Sequence, residues 1–232
     1  MHTIALVTQK GGSGKSTLAI GLAIAAMQDG HKVGLLETDP QGTVSNWARR
    51  REAVEPRVET AGGSLEIEQK LAAFERGGVT LTILDTGAGN ATTMEAAIAA
   101  ADLCLIPARP SPADIEATAQ TLRIIRDNDK PFAFILNQTP PRSYRIATAA
   151  ATLSDTAVEL NVMGVLALPN IVLRNDQQDA LGAGLSVIEY AGTGKSAEEI
   201  RGLWQWVSRK LAPVAFVTEA PAFVEEELRV AS

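Results

Sequence analysis

Lys10 and Lys15 stand five positions apart in the segment Gln9-Lys10-Gly11-Gly12-Ser13-Gly14-Lys15-Ser16-Thr17, with only glycine and serine between them. Glycines let a backbone curl until successive N–H groups point at one centre. A helix opening at the end of such a loop adds the partial positive charge of its N-terminus. The chemistry that fits is the cradling of a phosphate chain. Lys15 would reach the β- and γ-phosphates of a nucleoside triphosphate, and the Ser16 hydroxyl its Mg²⁺. Gly11, Gly12, Ser13, Gly14 and Thr17 complete the expected phosphate-binding set. The apolar run 3–8 before the loop and the Ala/Leu/Ile-rich stretch 16–28 after it supply the strand and helix this chemistry needs.

Carboxylates follow apolar runs elsewhere in the chain. Glu37-Thr38-Asp39-Pro40-Gln41-Gly42 closes a run that begins at Val33, and Leu81-Thr82-Ile83-Leu84-Asp85-Thr86-Gly87 reads as a strand ending in aspartate. Ligands of parallel sheets lie off the carboxyl ends of the strands, so Asp39 and Asp85 are placed at the same crevice as the loop. Asp85 suits Mg²⁺, held through water. Gly87-Ala88-Gly89 would let the backbone approach a terminal phosphate and move when it leaves. Asp-Pro and strand-end turns arise without any ligand and stay open as plainer accounts. A second Gly-Lys-Ser, at Gly194-Lys195-Ser196, follows too few glycines to form a phosphate nest. It reads as a surface turn, with Ser196 capping the last helix.

The elements that must hold these groups alternate. Apolar strand-like runs lie at 3–8, 33–37, 79–84, 103–106, 132–136 and 162–168; helical patterns lie at 16–28, 65–75, 91–101, 113–127, 145–160 and 196–211. Alternation of this kind predicts a doubly wound, mostly parallel α/β sheet flanked by helices. The expected organisation is one P-loop domain over residues 1–211 and an acidic C-terminal extension over 212–232, which holds Glu225-Glu226-Glu227.

Composition narrows the function. A net charge of −6 gives the chain no global attraction to DNA or anionic lipid. Any nucleic-acid contact must therefore be a local basic patch, and 4% aromatic content argues against base stacking. The one cysteine, Cys104, sits in an apolar run and reads as a core thiol. It can neither form an internal disulfide nor hold an iron–sulfur cluster alone. With no apolar run long enough to span a bilayer, the expected location is cytoplasmic.

The form of the loop resembles a known family. Gln9 occupies the first-glycine position of the general pattern and Lys10 sits inside the loop, as in the deviant Walker A motif of the ParA/MinD ATPases. Glu37-Thr38-Asp39-Pro40-Gln41 resembles that family's D-x-D-P-Q switch, with Glu37 one methylene longer than the usual first aspartate, which leaves its place near Mg²⁺ open. Further similar segments are Pro110-Ser111-Pro112, Ile135-Leu136-Asn137 and Leu185-Ser186-Val187-Ile188-Glu189-Tyr190. With Ser45-Asn46-Trp47 after the switch, and the loop beginning by Lys10, the chain is most similar to small plasmid-partition ATPases of the ParF type, which lack the upstream DNA-binding domain of larger ParA proteins.

The resemblance implies a set of roles. ATP and Mg²⁺ are the cofactors, and ATP closes a sandwich homodimer in which Lys10 reaches the partner's phosphates. Lys10, Lys15 and Asp39 are the expected catalytic residues, with Asp39 positioning the attacking water. Ser16, Asp39 and Asp85 form the expected metal side, and Asn137 reads adenine unless it is an ordinary turn asparagine. The implied activity is slow ATP hydrolysis, stimulated by a ParB-like or other adaptor, in a dimer that binds DNA without sequence preference on the nucleoid. The implied purpose is plasmid or chromosome partition, or cargo positioning. Arg49, Arg50, Arg51, Arg142, Arg145 and Arg174 are candidate DNA contacts, although solvated surface charge is the commoner role for such residues. An ATP-dependent metabolic enzyme of the same fold, similar to dethiobiotin and cobyrinate synthetases, is the alternative. The acidic tail argues against membrane attachment of the MinD kind.

Overall fold

Strand β1 (His2–Leu6) runs down the middle of a six-stranded sheet, between β4 (Leu81–Asp85) and β5 (Leu103–Ala108). Beyond β4 lie β2 (Val33–Glu37) and then β3 (Arg57–Thr60); beyond β5 lies β6 (Phe132–Leu136). The computed structural model describes residues 1–159 and 164–211, so the acidic extension at 212–232 lies outside the described residues. All five strand pairings are parallel, as the apolar runs predict. The order reverses at β1. The carboxyl ends of β4, β1 and β5 therefore open one crevice, with Leu6 in register with both Asp85 and Leu105.

Alternate residues of each strand feed two cores. Ile4, Leu6, Leu103 and Leu105 face α1 (Lys15–Gln28), α2 (Thr43–Arg50), α7 (Asn175–Gly182), α8 (Val187–Tyr190) and α9 (Lys195–Leu211). Ala5, Val7, Cys104 and Ile106 face α3 (Ser64–Arg76), α4 (Ala91–Ala100), α5 (Pro112–Asp127) and α6 (Tyr144–Glu159). Helix α1 is apolar on every side because it is covered on every side. It lies between the sheet and α9, where Ile200 comes close enough to Gly21 that a Cβ there would meet it at 3.1 Å. Burial pushes the Cys104 thiol up to about 12, as befits an inert core residue.

Four of the described elements go unread in the sequence, and one expected strand is not formed over its described residues. β3 carries Arg57-Val58-Glu59-Thr60, a charged edge strand bonded on one side only. α2 and α7 are eight residues each and α8 is four, too short for a clear periodicity. Of the run 162–168, residues 164–168 form no strand and 162–163 lie outside the described residues. This segment touches the β6 edge through one parallel bridge, Phe134 to Leu166, before Pro169 removes the next N–H.

Candidate functional site

Below the crevice the chain turns from β1 into α1 through the lysine-flanked loop. Gly12 and Gly14 take left-handed φ values of 75° and 87°. Gly14 is doubly constrained, since a Cβ there would stand 2.3 Å from Asn137 Nδ2. Helix α1 has neither a side-chain cap nor an acidic residue in its first turn, which leaves its N-terminal field to an anion. Lys15 is 6% exposed and folds back, its Nζ donating to the carbonyls of Thr8 and Lys10 at 3.4 Å each. Burial lowers its pKa, while the nearby Asp85 and Asp39 carboxylates pull it up.

Two acidic residues at neighbouring strand ends have separate fates. Asp85 is 1% exposed, and among the described residues neither of its carboxylate oxygens has a hydrogen-bond partner. Burial drives its pKa up to about 7; the Ser16 hydroxyl, near but in no regular hydrogen bond, and Lys15 favour the charged form, while Glu37 and Asp39 oppose it. A buried, unpartnered carboxylate beside a serine hydroxyl fits a hydrated Mg²⁺. Ser13 Oγ, close by in the loop, is another buried group with no partner among the described residues. Glu37 turns away from this centre. Its oxygens accept the N–H groups of Val44 at 2.7 Å and Ser45 at 3.0 Å, together with the Ser45 hydroxyl. Its side chain thereby caps the first turn of α2.

Asp39 is half-buried in the loop between β2 and α2, its Oδ1 accepting the Gln41 N–H at 3.0 Å. The two post-strand segments touch here: a Cβ on Gly87 would stand 3.2 Å from the Asp39 Cα. On the far side of the phosphate loop, Asn137 donates from Nδ2 to the Ser13 carbonyl at 2.7 Å. A small cleft of about 60 Å³ opens there, lined by Gly14, Leu18, Asn137, Ile171, Leu173 and Gln177 among others. At the end of β5, Arg109 Nε donates to Asp114 at 2.9 Å and the Ser111 hydroxyl donates to it at 2.6 Å. Burial raises the Asp114 pKa, but Arg109, Ser111 and the more distant Lys10 outweigh it and hold the carboxyl below its ordinary value.

Among known proteins, the family model described as VirC1 protein matches residues 1–175, the part that builds the whole sheet. Maintenance of carboxysome distribution protein A of Halothiobacillus neapolitanus is 30% identical over 207 residues, covering 85% of this chain and 91% of its own. The chain belongs to the ParA/MinD family of ATPases. Protein ParA of Rhizobium radiobacter is 28% identical over 170 residues, 69% of this chain and 76% of that protein. Among solved structures, MinD of Pyrococcus horikoshii, complexed with Mg-ADP, superposes with a TM-score of 0.70 at 15% identity, over 91% of this chain and 97% of that one.

Of the six arginines considered as DNA contacts, three are held by remote parts of the chain. Arg51 forms a paired contact with Glu189 at 2.7 and 2.8 Å, donates to the carbonyls of Glu55 and Gly184, and lies over the Trp47 ring. Arg174 pairs with Glu199 at 2.7 and 2.8 Å. Arg50 donates twice to the Leu181 carbonyl. Arg49 contacts Asn46 on its own helix, and Arg142 and Arg145 are exposed at the start of α6 with no side-chain bond among the described residues. Ser196 departs from the expected cap. It is fully buried, accepting from Arg174 and donating to Asp176, so it ties α9 to α7. Among the described residues no helix is long and apolar enough to cross a membrane.

Proposed function

We propose that this chain is a positioning or partition ATPase that closes an ATP-sandwich homodimer, binds DNA without sequence preference, and is driven to hydrolyse ATP by an adaptor protein. The observation that carries the reading is the unpartnered Asp85 carboxylate beside Ser16 and Lys15 under a glycine loop. Lys15, Ser16, Asp85 and the loop N–H groups would hold Mg-ATP, and the ion would neutralise charge on the terminal phosphates. Gly11, Gly12, Ser13, Gly14 and Thr17 line the same loop. Asp39 would orient the attacking water and share the metal side. Asn137 has one amide end engaged by Ser13, which leaves Oδ1 to accept from the adenine amino group. Lys10 is half-buried, with no side-chain bond among the described residues, as suits a lysine whose phosphates belong to a partner. Plasmid partition, carboxysome distribution and septum-site determination are roles of the relatives and neighbours by name. They support a positioning switch here, which this reading places in the cytoplasm and on the nucleoid when ATP-bound, with 1–211 as its ATPase domain.

The test is sedimentation and DNA retention with no nucleotide, ADP or ATP. The parent should dimerise and retain DNA with ATP alone, and retention should fall steeply with salt. Lys10→Ala should bind ATP yet stay monomeric and ignore DNA. Asp39→Ala should bind ATP and turn it over at least tenfold more slowly. A parent that stays monomeric with ATP overturns the sandwich.

A further inference from the structure

Two consecutive side-chain amides after β6 hold two consecutive carbonyls of the phosphate loop. Asn137 Nδ2 donates to the Ser13 carbonyl at 2.7 Å, and Gln138 Nε2 donates to the Gly12 carbonyl at 3.0 Å. A trans peptide is planar, and its N–H points opposite to its C=O. Drawing the Gly12 and Ser13 carbonyls toward β6 therefore turns the Ser13 and Gly14 N–H groups the other way, toward the inside of the loop. Those are the groups a phosphate chain would meet.

The backbone at Gln138 is unusual. Its φ is 52°, in the left-handed region that an L-residue other than glycine, asparagine or aspartate seldom enters. Conformations of this kind persist when their neighbours over-determine them. Asn137 N–H is fixed on the Ala108 carbonyl and Thr139 N–H on the Ile171 carbonyl, at 2.9 Å each. Leu173 N–H returns to the Thr139 carbonyl at 2.9 Å. The glycine opposite matches: a Cβ on Gly14 would meet Asn137 Nδ2 at 2.3 Å and Gln138 Nε2 at 3.3 Å. The loop and the β6 end are built to touch.

We infer that Gln138 is a positioning residue that, with Asn137, braces the phosphate loop from behind and pre-sets the N–H groups that receive the phosphates. The inference rests on the reading of this loop as the nucleotide site. Gln138 acts through the Gly12 carbonyl and reads no base. Its distinguishing property is that it strengthens the hold on any phosphate chain alike, whatever nucleoside is attached.

Two variants test it, with competition by inorganic tripolyphosphate as a probe that carries no base. Gln138→Gly keeps the left-handed backbone without strain and loses the amide. Gln138→Glu keeps the shape and sets a carboxylate against the Gly12 carbonyl. Gln138→Gly should weaken ATP and tripolyphosphate by the same factor, about five- to tenfold, the size of one lost hydrogen bond. Gln138→Glu should weaken both further. The preference for ATP over GTP and the melting temperature without ligand should stay at the parent's values. Parent-like affinity in both variants overturns the brace, as does a loss confined to ATP, which would make Gln138 a base reader. A lowered melting temperature with unchanged affinity overturns it too, by making the contact purely structural. Lys15→Ala separates the two levels. If that variant binds both probes as the parent does, the nucleotide reading of the loop has failed, and the brace falls with it for a reason of its own.

Discussion

Glu37 and Asp85 end neighbouring strands in register, and among the described residues three donors close on the first carboxylate while none closes on the second. Glu37 faces the start of α2, where N–H groups and the helix field favour a negative charge. Asp85 faces the crevice beneath the phosphate loop. The longer side chain at position 37 suits the capping role, because its carboxylate reaches Val44 and Ser45 across the Asp39 loop.

Glu37→Ala should cost about 2–4 kcal/mol of folding stability, because a buried cap disappears and two N–H groups lose their acceptor. Glu37→Gln keeps one acceptor oxygen and should lose less. In that variant Mg²⁺-dependent ATP affinity should stay within about twofold of the parent, whereas Asp85→Asn should remove the Mg²⁺ dependence. Denaturant unfolding and a Mg²⁺ titration check both halves. A Glu37→Gln variant that loses the Mg²⁺ response would return Glu37 to the metal.

The pH response of the ligand-free chain follows from Asp85. Its folded pKa is raised to about 7, above that of an unfolded aspartate. The folded chain therefore holds this proton more tightly than the unfolded chain does. The associated stability is complete below about pH 4 and is lost as pH rises through about 7, a term on the order of 4 kcal/mol. Asp85→Asn should flatten that decline and be the more stable protein at pH 8. Unfolding curves without nucleotide or Mg²⁺ between pH 5 and 8 measure it, and parallel curves for parent and variant would refute the assignment.

The arginines should divide into two groups. Arg51→Ala and Arg174→Ala break partly buried paired contacts and should lower the melting temperature. Arg142→Ala and Arg145→Ala should change stability by less than about 0.5 kcal/mol. If they contact DNA phosphates, each should reduce the salt slope of ATP-dependent DNA binding by about 2 per dimer. DNA retention across a salt series, with melting curves beside it, distinguishes the groups. An unchanged slope in the Arg142→Ala, Arg145→Ala double variant would move the DNA surface elsewhere.

The positions of the glycine-rich loop, Asp39 and Asp85 in the fold and the parallel sheet were legible in the residues because each depends on local order. A glycine run between strand and helix, or an aspartate closing an apolar run, carries its meaning within about ten positions. The unread elements carry less. β3 has one apolar residue in four, and α8 is a single turn stabilised by the reciprocal cap of Ser186 and Glu189. Their existence depends on what they pack against, as for Trp47, which is fully buried while its helix is mostly polar.

By itself the sequence determined that a glycine-rich loop flanked by two lysines joins the first strand to the first helix, that acidic residues end the strands beside it, and that the sheet is parallel. Local geometry dictates each of these, since glycine freedom, helix field and strand period need no distant partner. Only the tertiary structure decided which like residues share a role. Glu37 caps a helix while Asp85 waits in the crevice; Arg51 and Arg174 are spent on Glu189 and Glu199 while Arg145 stays outside. Gln138 meets Gly12 across 126 positions of chain. A carboxylate or a guanidinium takes its role from the donors and acceptors that surround it, and those arrive from remote segments only when the sheet has closed.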